Sequence, residues 1–484
     1  MAFKTSSFGM SKPNIFFLAF NYLPWLSAKF GSIGVVGLTI ALGLFLRVWR
    51  LEELAGFDFD QETAAWWIKS FLIDGKFSLI GQEISVGGLF IGPVFYYLLS
   101  VFYFVFGLDP IAGNVTVSII ALITMALVFV GAKSLFGLKT GLLALFLYAF
   151  SSSVNFYDRT VAPSNVAMLI SCATLYFLLQ VRRGVLFFVL IGIFLGLTFS
   201  VHPGAVVLIF IVLVYFVYNK HLVSASKVLA TLIPISLFLF PLIIFDLRHS
   251  FLNTLSFISI LSRDDISPNS YPWMFGLLIN LRTVITSLTR ILLPDRIGSI
   301  LWTVPVIWFL ILSFFKNRSS NLFLILWFSV SIITLSFYRG VIPEYYFLIL
   351  FPVFLIHFSH YLINISASKK VYKLLIFALV FFSVVAHLNS LFHYRYLVGL
   401  AYKKQAVKYV IEESGGKDFQ VDYVTTLGQN TGFNYLFYWY KRLPVGNSGV
   451  KYIIVLPMSL AKESGAVFGD IKVLKKHEEK LSVL

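Results

Sequence analysis

Apolar stretches of about twenty residues recur along most of this chain, separated by short polar connectors. A helix needs about 20 consecutive apolar residues to cross a bilayer core, so the pattern predicts an all-α polytopic membrane protein. Predicted spans fall near 31–47, 112–131, 140–157, 163–181, 184–201, 203–219, 228–246, 298–315, 321–338, 343–362 and 371–390. Two more apolar segments, 89–107 and 276–293, are ambiguous. The first is rich in aromatics and broken by Gly92-Pro93. The second carries Arg282 and Arg290, which together would cost about 5–7 kcal/mol at a bilayer centre. Both read as re-entrant or interfacial, leaving eleven crossings in a fold of about 11–13 helices.

The pattern changes in two places. Residues 56–75, GFDFDQETAAWWIKSFLIDG, place Ala64, Trp67, Ile68, Phe71 and Leu72 at helical spacing and close on Asp74-Gly75. This predicts an amphipathic helix whose tryptophans anchor it in the interface. From about residue 400 the chain reads helix (401–414), a Gly-Gly break, strand (419–426), aromatic helix (430–442), strand (451–457) and a last strand. That is a small α/β region. The expected organisation is a segment 1–30 in the cytoplasm, a transmembrane domain 31–395 with outer loops 48–111 and 247–297, and an extracytoplasmic domain 396–484.

Composition agrees: 58% of residues are hydrophobic, 12% are charged, and the mean hydropathy is +0.87. Soluble domains carry about 25% charged residues. The net charge of +16 points to membrane orientation rather than nucleic acid. If 89–107 does not cross, Lys133, Lys139, Arg182, Arg183, Lys220, Lys227, Lys316, Arg318, Lys369 and Lys370 share the cytoplasmic side with the N-terminus, as the positive-inside rule asks. Arg47 and Arg50 then fall outside, against the rule. The single cysteine, Cys172, excludes an intrachain disulfide. No nucleotide-binding fingerprint is present.

This sidedness gathers the polar chemistry on the outer face. Asp58, Asp60 and Glu62 alternate in the first loop. Either aspartate could cap the helix; one could instead act as general base, and Glu62 reads as a solvated first-turn charge. Arg159, beside Tyr157-Asp158 and before Pro163-Ser164-Asn165, could bind phosphate bidentately or merely snorkel. His202 sits at a helix-to-helix turn, where a structural role is commoner. Asp246, Arg248 and His249 crowd one span end, as a substrate site or an interfacial ion pair. Arg339, Glu344 and Tyr345 form a weaker cluster of the same kind. The histidines show no metal-ligand spacing. The three first-loop acids could hold a divalent cation, but spacing alone is weak support. A base beside phosphate-binding cations at a membrane surface suits a donor whose phosphate lies at that surface and whose tail lies in lipid. A polyprenyl-phosphate sugar has that form.

Four motifs resemble those of the GT-C glycosyltransferases, in the bacterial branch of family 39 related to protein O-mannosyltransferases and lipid A aminoarabinose transferase. They are Asp60-Gln61, the segment Gly87-Gly88-Leu89…Gly92-Pro93…Tyr96-Tyr97, the turn Arg159…Pro163-Ser164-Asn165, and the run Phe245-Asp246-Leu247-Arg248-His249. The resemblance covers residues 30–250, whereas 298–400 match mainly in hydropathy. It implies a GT-C fold, an undecaprenyl- or dolichyl-phosphate sugar donor, inversion at the anomeric carbon, and Asp60 as catalytic base. Two departures stand out. Gln61 replaces the family's usual second acid, and Val161-Ala162-Pro163-Ser164-Asn165 replaces a Trp-Asn-Pro-Asn turn. The acceptor, whether lipid, glycan or protein, is not indicated. Rival readings are a lipid-linked glycan ligase or polymerase, a lipid flippase or transporter, and an assembly scaffold.

Overall fold

The computed structural model describes residues 15–84, 87–262, 273–294, 296–315, 321–338, 342–426, 428–446 and 450–477. Among them, five helices are long and apolar enough to cross a membrane: Ile111–Phe136, Pro163–Arg183, Ala225–Arg248, Met274–Leu292 and Lys370–His393. A sixth arises if Leu138–Phe150 and Ser152–Arg159, bent by 67° at Ser151, form one broken span. Shorter apolar helices occupy Ser32–Val48, Val185–Ser200, Pro203–Tyr218, Trp302–Phe315, Leu322–Ser336 and Leu350–Ser366, where spans were expected. The chain is a multi-pass membrane protein. Its helices pack closely where small residues permit. A Cβ on Gly192 would lie 2.3 Å from the Thr231 carbonyl oxygen of the facing helix, and such close approach drives helix association in lipid.

The two ambiguous segments take different forms. Residues 81–84 and 89–92 pair as an antiparallel hairpin, and the following helix is only Val94–Val105. Twelve residues rise about 18 Å, short of a hydrocarbon core of about 30 Å. The segment 276–293 instead lies in one continuous helix, Trp273–Leu292, with the length and apolarity of a span. Its Arg290 stands in the last turn, ion-paired to Glu344 at 3.3 Å. Only Arg282 remains mid-helix, roughly halving the expected insertion cost.

Arg47 and Arg50, the exceptions to the positive-inside pattern, prove to be paired. The guanidinium of Arg47 is fully buried and donates to Asp158 at 2.6 and 2.8 Å and to the Gly43 and Ala149 carbonyls. Arg50 pairs with Glu53. The Arg47 charge thus ties the end of the first helix to the break before Arg159.

At the C-terminus, the helix Leu400–Glu413 precedes a four-stranded sheet of β1 (Gln420–Thr425), β2 (Val450–Leu456), β3 (Ala466–Phe468) and β4 (Ile471–His477). The order is β1-β2-β4-β3, with β1 and β2 parallel and the other pairs antiparallel. A short helix, Phe433–Trp439, links β1 to β2. The domain sits against the first loop, where Lys403 and Lys404 reach Asp58, Glu52 and Asp109.

Candidate active site

The first-loop helix runs Phe59–Leu72, opened by a capping box in which the Asp58 amide donates to Gln61 Oε1 at 3.0 Å. Gln61 Nε2 in turn donates to the Val161 carbonyl at 2.7 Å, joining this loop to the turn at 157–165. A glutamate here could not make that donation when ionised; that gives the departure from the family pattern a physical reason. The two tryptophans pack within the protein rather than project as anchors. Trp66 meets Tyr435 and Tyr438; Trp67 meets Tyr96 and Tyr97 and donates to the Ile80 carbonyl at 3.0 Å.

The three acids part company. Residues two apart on a helix do not share a face, whereas residues four apart do. Asp58 and Glu62 turn to the C-terminal domain. Asp58 accepts from Lys403 Nζ at 2.7 Å and from the Tyr396 hydroxyl at 2.9 Å. Glu62 is buried, and it accepts from the Gly432 and Tyr435 amides at 2.6 and 2.8 Å. It is therefore not a solvated charge: it caps the positive end of the helix Phe433–Trp439, where a carboxylate is stabilising. The three carboxylates do not converge, so they do not form a cage for a cation.

Asp60 turns the other way. It lines a cavity of about 400 Å³ with Gln82, Glu83, Tyr157, Asn165, His202 and Tyr345. The side chain is open to solvent through the cavity mouth. Gln82 Nε2 donates to it at 3.3 Å. Loss of hydration raises its proton affinity above the usual aspartate range, Gln82 works against this, and the Asp58 charge adds to it. His202 Nδ1 accepts from the Gly204 amide at 3.1 Å, and its ring stands edge-on to Tyr346 and Tyr345. Burial pushes the His202 pKa down to about 4, so near pH 7 it is a neutral imidazole and not a phosphate-binding cation. Asn165 donates to the Tyr157 and Thr160 carbonyls at 2.9 Å and fixes the turn.

Phe156 and Tyr157 also line a second cavity, of about 330 Å³, which holds Arg159, Arg290, Glu344 and Tyr394. Arg159 is buried and donates through Nη2 to the Leu46 carbonyl at 3.0 Å and through Nε to Asn155. Arg290 is half-exposed. It was not among the residues expected at the site. The only signal in the sequence was an arginine at the end of an apolar run.

The remaining candidates lie elsewhere. Asp246 is buried and accepts from the Asn253 amide at 2.7 Å and from the Thr254 amide and hydroxyl at 3.1 and 2.6 Å, opening the helix Leu252–Ser262. His249 bonds the Phe245 carbonyl at 2.8 Å and stacks on the Phe245 ring. Arg248 is exposed and lines neither cavity. Arg339 lies outside the described residues. Even so, this region joins the same face: Asn253 accepts from the Phe90 amide at 2.6 Å, and Gly92 donates to the Phe199 carbonyl at 2.8 Å. The first loop, the turns at 157–165, 200–204 and 343–346, and the start of the loop after 246 therefore cluster at one end of the bundle.

Residues 91–245 match the family described as dolichyl-phosphate-mannose-protein mannosyltransferase. No curated protein matches the chain in sequence. In three dimensions it is similar to ArnT from Cupriavidus metallidurans, solved with undecaprenyl phosphate. The TM-score is 0.59 at 12% identity, over 91% of this chain and 98% of that one. Apo ArnT gives 0.58 at 12% identity over 92% and 98%. An oligosaccharyltransferase from Archaeoglobus fulgidus, solved with zinc and sulfate, gives 0.52 at 12% identity over 85% of this chain and 62% of that one. Residues 91–245 thus carry a match to that family's model, and the chain as a whole shares the fold of these membrane glycosyltransferase structures.

Proposed function

We propose that this protein moves a sugar from a polyprenyl-phosphate donor to a lipid, glycan or protein acceptor on the extracytoplasmic face, with inversion at the anomeric carbon. One observation carries the reading: two adjoining cavities share the Phe156–Tyr157 wall, a carboxylate of raised proton affinity in one and two guanidinium groups in the other. Asp60 takes the proton from the acceptor hydroxyl or amine, and the acceptor attacks C1 of the sugar from the face opposite the phosphate. The C1–oxygen bond to phosphate breaks, and its electron pair leaves with the polyprenyl phosphate. Arg159 and Arg290 hold that charge, an electrostatic contribution that grows as the bond breaks. His202 contributes as a neutral hydrogen-bonding group, and Arg248 takes no part.

The ArnT relative, solved with undecaprenyl phosphate, supports the donor class. The reading assigns residues 1–30 to the cytoplasm and 396–484 to the extracytoplasmic side, where the tail contacts the first loop. The experiment is transfer by purified protein from synthetic polyprenyl-monophosphate hexoses and pentoses, with a membrane lipid and glycan extract as acceptor source. Polyprenyl-pyrophosphate oligosaccharides form a second arm. Transfer from the monophosphate is expected, falling about 10²–10⁴-fold in Asp60→Asn. Undiminished transfer by Asp60→Asn overturns the role of Asp60, and turnover of the pyrophosphate donor alone overturns the donor class.

A further inference from the structure

The C-terminal domain grips the first loop at the residues on either side of Asp60. Lys403 is entirely buried, and its ammonium makes three donations: to the Phe57 carbonyl at 2.8 Å, to Asp58 Oδ1 at 2.7 Å and to the Thr431 carbonyl at 2.9 Å. Its three donors are therefore all used. Four residues past Asp58, Glu62 is held by the Gly432 and Tyr435 amides. Gly432 itself lies so close to the loop that a Cβ there would stand 2.1 Å from the Phe57 carbonyl oxygen. Asp60 is thus the middle of three acids whose outer two are clamped to the tail.

We infer that Lys403 is a positioning residue for the reaction: from the C-terminal domain it neutralises Asp58, and so sets the charge and the angle of the turn that presents Asp60 to its cavity. The inference rests on the reading of Asp60 as the base. The groups that face Asp60 come from several elements: Asp58 at the cap of its own helix, Gln82 and Glu83 on the hairpin, Tyr96 on the helix Val94–Val105, Tyr157 on the helix Ser152–Arg159, His202 before the helix Pro203–Tyr218, and Tyr345 before the helix Leu350–Ser366. Of these, Asp58 is the group in contact with a buried cation. Like charge disfavours ionisation. Removing Lys403 leaves the Asp58 charge uncompensated and makes Asp60 hold its proton to higher pH. Removing the Asp58 charge does the reverse.

Difference infrared titration of the purified full-length protein, with Asp60→Asn as subtraction reference, follows the protonated carboxyl of Asp60 directly. In Lys403→Met the band is expected to titrate at higher pH than in the wild type; in Asp58→Asn, at lower pH. The rate at about pH 6 relative to about pH 8 should fall about threefold in Lys403→Met and rise in Asp58→Asn. Opposite movements distinguish charge-setting from general damage to the fold. If both variants titrate where the wild type does, the inference is overturned. Should Lys403→Met alone not yield folded protein, the double variant Lys403→Met/Asp58→Asn, which leaves neither charge buried unpaired, decides: titration of Asp60 above that in Asp58→Asn supports the inference, and titration at the same pH overturns it. An active Asp60→Asn would instead overturn the reading of Asp60 as base, and the titration would still report on the clamp.

Discussion

Two runs of the chain look equally rich in chemistry, Phe57-Asp58-Phe59-Asp60 and Phe245-Asp246-Leu247-Arg248-His249. In the structure they differ. The second run consumes its polar groups locally: Asp246 opens the next helix, His249 returns to the Phe245 carbonyl, and Arg248 faces out. The first run hands its backbone needs to Gln61 and its spare carboxylates to the tail, which leaves Asp60 available to a cavity. A reactive residue is one left over after its neighbours have satisfied the local backbone. Residue type and density do not reveal which one that is.

The largest expected contrast between the two runs is in turnover. Asp60→Asn should cost about 10²–10⁴-fold, and the wild-type rate should fall as pH drops through the raised Asp60 range, because the base works only when deprotonated. That acid limb, measured from the pH profile of transfer, should lie above the pH at which an ordinary aspartate titrates. Next comes the cation question. Arg290→Gln should raise the KM for the monophosphate donor about tenfold, whereas a change confined to thermal stability would remove Arg290 from the site. Smaller still, Asp246→Ala should lower stability by about 1–2 kcal/mol through loss of a helix cap, with Asp246→Asn close to wild type. Denaturation monitored by tryptophan fluorescence separates them. A large loss of turnover in Asp246→Asn would return the second run to the chemistry. Least of all, Arg248→Gln should change kcat/KM by less than about twofold; a tenfold loss would break the contrast.

Much of the fold was legible because apolar runs and turn residues act locally. The helix at 400–413 and the strands at 420–425 and 450–456 fall within a few residues of expectation. The turns grouped on one side by the charge asymmetry of short loops do cluster at one end of the bundle. What escaped was pairing across long separations. The burial of Arg47 against Asp158 and of Glu62 against the tail, and the pairing of Arg290 with Glu344, depend on partners tens to hundreds of residues away. In each case the residue type was visible, but the neighbour that decides its role was not. Residues 276–293 form one continuous helix with the length and composition of a candidate span, whose Asn280 and Arg290 bond Ser336 and Glu344.

The contact between Asp58 and Lys403 spans 345 residues of chain. At a synthesis rate of about 5–20 residues per second, the lysine emerges roughly 20–70 s after the loop it holds. The bundle can enter the membrane long before the first-loop turn is clamped. A chain cut short before residue 403, or one whose tail has been clipped, would enter the membrane without the contact that holds Asp58.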